Sequence, residues 1–87
     1  MRNLNALGVS ISNCSDCDIF KKRIIDYFKK FNINICFNEI FYDIQPEESL
    51  KFCLENNIDD IPVYIINGII FSKLFSESCV KDVINRL

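Results

Sequence analysis

Histidine and tryptophan are absent from this 87-residue chain, and glycine and proline occur only twice each. Without histidine, a cysteine pair has few companions for a metal site, because the remaining ligands would have to come from other cysteines. No stretch approaches the roughly eighteen apolar residues that a membrane-spanning helix needs, so no membrane partner is expected. Lys and Arg number 10 against 12 Asp and Glu, a formal charge of −2. That balance lacks the positive footprint of a nucleic-acid binder. No repeat, linker or low-complexity segment divides the chain, and residues 1–87 read as one domain. Met1-Arg2-Asn3 lies too close to the first strand-like stretch for a leader, so a cytoplasmic location is expected.

What is present is a core and a set of thiols. Apolar residues make up 49% of the chain, enough for one packed globule. The five cysteines are an odd number and cannot all pair within the chain. In a reducing compartment Cys36, Cys53 and Cys79 are expected to be buried thiols that fill the core. Cys14 and Cys17 differ, because Cys14-Ser15-Asp16-Cys17 follows an apolar run and precedes a helix-patterned stretch. That placement sets two sulfurs at a helix N-terminus, where unpaired N–H groups and the helix dipole favour a thiolate. Two thiols at this spacing can close a disulfide, and half a zinc site looks the same.

The flanking pattern supplies the elements. Leu4 to Ile11 suits a strand buried on both faces. From Asp18 to Phe31, the residues Phe20, Ile24, Tyr27, Phe28 and Phe31 recur at helical spacing, with Cys17 one turn ahead on the same side. Cys14 is then the more exposed sulfur. Lys21-Lys22-Arg23 and Lys29-Lys30 read as the solvated side of that helix. Ile33, Ile35 and Phe37 alternate with Asn34, Cys36 and Asn38 in a second strand over Ile33 to Phe41. Pro46-Glu47-Glu48 opens a second helix from about Gln45 to Asn56, with an expected inner stripe of Leu50, Cys53, Leu54 and Ile58. Asn67-Gly68 between two β-branched runs predicts an antiparallel hairpin, since a type I′ turn needs positive φ at both central positions. Ser76 and Glu77 open a last helix carrying Val80, Val83, Ile84 and Leu87. The expected architecture is α/β: β-α-β-α-β-β-α, a four-stranded mixed sheet with helices on both faces.

Taken together, the element order, the CxxC opening the first helix and Ile61-Pro62 before the third strand resemble the thioredoxin superfamily. The short form is most similar to its glutaredoxin-like branch, and the likeness spans essentially the whole chain. The resemblance implies a thioredoxin-like fold, with Cys14 as nucleophile and Cys17 as resolving cysteine. It implies that Pro62 is the cis-proline facing the disulfide and that Ile61 offers backbone hydrogen bonds to the bound substrate chain. Ser15 and Asp16 then stand where the substrate passes. It also implies disulfide-containing protein substrates, an upstream reductase and a monomer. Glutathione is the cofactor that this branch suggests, yet the Gly-Gly-acid segment that holds it is replaced by Phe71-Ser72-Lys73-Leu74, and no other bound cofactor is expected.

The inferred reaction is thiol–disulfide exchange through a Cys14–Cys17 disulfide. Asp16 and Asp18 oppose the thiolate that the helix terminus favours, with Asp59 and Asp60 expected to add to that effect, so a reductant of moderate reactivity is expected. The same acidic rim should repel anionic glutathione and favour neutral or basic partner surfaces. Two other functions fit the same residues: a metal- or cluster-carrying domain, and a non-catalytic binding module.

Overall fold

In a computed structural model that describes residues 2–87, several chain reversals fall on asparagine or glycine in the left-handed region. Met1, which opens the segment read as too short for a leader, lies outside those residues. The elements run β1 (Arg2–Ser10), α1 (Ser15–Lys29), β2 (Ile33–Phe41), α2 (Pro46–Glu55), β3 (Val63–Ile66), β4 (Ile69–Phe71) and α3 (Glu77–Asn85). Asn32 and Asn57, with φ of 61° and 54°, turn the chain after α1 and α2. Asparagine tolerates this left-handed region better than other side chains do. Asn67 (φ 50°) and Gly68 (φ 83°) form the tight reversal between β3 and β4.

The protein is α/β, with three helices and one four-stranded mixed sheet in the order β2-β1-β3-β4. β1 runs parallel to β2 and antiparallel to β3, while β3 and β4 form the antiparallel hairpin. The main core joins Phe20, Ile24 and Phe28 of α1 to Ala6, Ile35, Tyr64, Ile66 and Phe71 of the sheet, with Val80 and Val83 of α3 closing it. Burying each large apolar side chain contributes roughly 1.5–3 kcal/mol. Phe75 ties the pieces together, its ring centroid 5.8 Å from Phe20 and 5.2 Å from Phe71. No residue of α2 joins this cluster; that helix packs against β2 outside it.

Several expectations from the sequence are corrected. α1 opens on the CxxC as expected, with Cys14 as its cap, but it ends at Lys29, so Phe31 lies beyond it and is exposed. β1 is not buried on both faces along its length, because Asn3, Asn5 and Leu7 are exposed and burial is continuous only from Gly8 to Ser10. α2 turns a different side inward: Ser49 is buried, Phe52, Cys53 and Asn56 are half-buried, and Leu50 and Leu54 face solvent. Cys36 is exposed and Cys53 and Cys79 only half-buried, so none of the three is a fully buried thiol. Cys36 shares its side of β2 with Asn34 and Asn38, both exposed, while the core lies on the opposite side.

Candidate functional site

The sheet register gathers four loops at one edge. Ser10 pairs with Phe41, Val9 with Val63, and Tyr64 with Phe71. Beyond that row lie Ile11–Cys14, Tyr42–Gln45, Ile61–Pro62 and Ser72–Leu74. Pro62 stands one step past the last β1–β3 pair, which brings it beside Ser10 and the loop leading to Cys14. The Ile61–Pro62 peptide bond is cis; Pro62 is buried and Ile61 half-buried. Ser12 binds the neighbouring loop to its own, donating through its N–H to Asp43 Oδ1 at 3.0 Å and through its hydroxyl to Asp43 Oδ2. These bonds hold the Asp43 carboxyl below the usual range.

Cys14 is the N-cap of α1. Its backbone is extended (φ −109°, ψ 108°), and its sulfur accepts the Cys17 N–H at 3.1 Å. A sulfur thus takes the place that serine or aspartate oxygen usually fills, satisfying one of the free donors of the first helical turn. Cys14 is half-buried and Cys17 is buried. Burial pushes the Cys17 thiol up, and the hydrogen bond and charge of Cys14 push it the same way. The Ile11 backbone and the Lys73 ammonium offset only part of this. The pair is therefore asymmetric: Cys14 is half-buried at a helix terminus, and Cys17 is held inside as a thiol. Ser15 and Asp16, between them, are exposed.

A polar network links β1, β2, β3 and α1. Glu39 accepts hydrogen bonds from the Ser10 hydroxyl, from Tyr64 Oη at 3.2 Å and from Lys21 Nζ at 3.0 Å. Burial acts to raise the Glu39 pKa, but the hydrogen bonds from Ser10 and Lys21 and the Lys21 charge outweigh it, so the carboxyl sits below its ordinary value. Burial raises the Tyr64 phenol, and the charge of Glu39 raises it further. Lys21 was expected on a solvated face; it is instead drawn inward by Glu39, with 24% of its side chain exposed.

These residues were missed in the sequence, although one signal was there. Continuing the inward alternation of Ile33, Ile35 and Phe37 puts Glu39 on the core side of β2. Lys73 was also missed. Arg23 Nη1 donates to the Lys73 carbonyl at 3.2 Å and stacks over Phe75 at 4.8 Å, which fixes the loop that carries this charge.

A folded-state pKa below the unfolded value of about 4.3 stabilises the fold above that value and loses its effect as pH falls through the folded pKa. Glu39→Gln should therefore lower stability at neutral pH by roughly 1.5–3 kcal/mol, the range for a hydrogen-bonded charged group. Denaturant titrations should show the gap between variant and parent closing below about pH 4. A gap unchanged from neutral to acid pH would contradict this role for the carboxylate.

Compared with known proteins, the chain matches no family model and no curated protein. Among the described residues, no group of three or more Cys, Asp or Glu side chains is arranged to hold a metal ion. No described helix is long and apolar enough to cross a membrane.

Proposed function

We propose that the chain is a thiol–disulfide oxidoreductase on a thioredoxin-type fold, in which Cys14 attacks a substrate disulfide and Cys17 resolves the product. The observation that carries this is the asymmetry of the pair: half-buried Cys14, whose sulfur caps α1, and buried Cys17, three residues on, whose backbone N–H donates to that sulfur. In the first step the Cys14 thiolate bonds to one substrate sulfur and the substrate S–S bond breaks, releasing a thiolate that takes up a proton. In the second, the Cys17 thiol gives up its proton and its sulfur bonds to Cys14. The mixed disulfide breaks, and the second substrate thiol leaves protonated. Two electrons pass to the substrate, and the Cys14–Cys17 disulfide remains.

Burial of Cys17 suits this order, because a thiol held protonated does not compete with Cys14 for the incoming disulfide. Pro62 and Ile61, beside the Cys14 loop, form the surface on which the substrate chain lies. The dithiol itself is the redox group. An upstream reductase in the cytoplasm regenerates it, and the carboxylates of Asp16, Asp59 and Asp60 disfavour glutathione in that role. The protein should accelerate the reduction of insulin disulfides by dithiothreitol, followed as turbidity. No acceleration over dithiothreitol alone would contradict the proposal.

A further inference from the structure

The site edge continues into a cleft of about 270 Å³ between α2 and the Asp59–Pro62 loop. Leu50, Ile58 and Ile61 give it an apolar lining, Tyr42 forms one wall, and Cys53 contributes a half-buried thiol. Its charged groups are all of one sign, Asp59 and Asp60. Among the described residues neither is in an ion pair. Asp60 Oδ1 accepts the Ile61 N–H at 2.9 Å, which holds that carboxylate at the cleft and leaves its second oxygen for another donor.

An apolar slot ending in unpaired carboxylates matches a long basic side chain, whose methylene stem covers apolar surface while its charged head reaches polar groups. The cleft has room for one such side chain. The exposed Leu50 and Tyr42 supply surface that the stem would cover. We infer that this cleft receives a lysine or arginine side chain lying close to the substrate's disulfide, so that the protein prefers disulfides flanked by basic residues. The inference rests on the oxidoreductase proposal and adds the substrate class. Charge complementarity of this kind acts on encounter and on discrimination between partners more than on raw affinity.

The test uses peptide disulfides identical except for one residue near the cysteine: Lys, norleucine or Glu. Reduction by the full chain should follow Lys over norleucine over Glu. The Lys peptide should lead norleucine in kcat/KM by roughly three- to tenfold at low salt, and the lead should shrink as ionic strength screens the pair. In an Asp59→Asn/Asp60→Asn variant, which keeps an oxygen to accept the Ile61 N–H, the Lys-to-norleucine ratio should fall to about one. Equal rates for all three peptides in the unmodified protein, or a ratio unchanged in the variant or by salt, would overturn the inference while leaving disulfide reduction intact. Failure to reduce any of the three would overturn both.

Discussion

Cys14→Ser should abolish catalysed disulfide reduction, with a loss on the order of 10³-fold or more, as expected when a covalent nucleophile is removed. The fold should survive, because serine is a preferred N-cap and can accept the same N–H of Cys17. Cys17 cannot take over: it is 2% exposed, and burial holds it as a thiol. Cys17→Ser should behave differently. Its first step is intact and its second is blocked, so it should accumulate a mixed disulfide between Cys14 and substrate, seen as a slower band on a non-reducing gel. Full-rate reduction by the Cys14→Ser variant, or trapping by that variant and not by Cys17→Ser, would reverse or remove the assigned roles.

The largest effect on stability should come from Gly8→Ala. Gly8 is buried on β1 and pairs with Tyr64 across the sheet. A Cβ placed there would lie 2.0 Å from the Val63 carbonyl oxygen, 2.5 Å from Tyr64 Cδ1 and 2.9 Å from Tyr64 Cα. Two of these are backbone atoms of a paired strand, so a rotamer change cannot relieve the clash. β3 would have to move away from β1, taking with it Tyr64 and its bond to Glu39. The cost should be about 3 kcal/mol or more, at or above the upper end for overpacking a core. For a domain of this size that corresponds to a fall in melting temperature of roughly 10–20 °C. A change of only a few degrees, measured by circular dichroism, would show that the strands separate more easily than their spacing implies.

The parts of the fold that were readable before the structure rest on local chemistry. Asn67-Gly68 demands positive φ wherever it turns, and Pro46 with two following acids opens a helix whatever surrounds it. The face of α2 was not readable. The stripe Leu50–Cys53–Leu54 and the stripe Ser49–Phe52–Cys53–Asn56 share Cys53 and the same period, and hydrophobicity alone selects the leucines. Packing of α2 against β2 leaves Ser49 as the buried residue instead, and that is a tertiary fact. The apolar side chains left outward, Leu50 among them, are what line the cleft beside Ile61.

The site divides in the same way. The placement of Cys14 and Cys17 at the start of α1 was legible because spacing and helix pattern are local. Ser10, Glu39 and Tyr64 come from three different strands, and only the order β2-β1-β3 brings them together. Lys21 looked like one more surface charge because the carboxylate that draws it inward lies 18 residues away. Long-range pairing therefore decides which charges belong to the site.

The central claim is that Cys14 and Cys17 form a reversible redox pair, and thiol mapping tests it most directly. The protein is oxidised with a mild dithiol oxidant, its free thiols are alkylated, and the modified residues are located by mass spectrometry before and after reduction. The expected result is a Cys14–Cys17 disulfide, with Cys36, Cys53 and Cys79 alkylated, and with all five alkylated after dithiothreitol. Cys14 and Cys17 both alkylated after oxidation, or either one bonded to another cysteine instead, would contradict the claim.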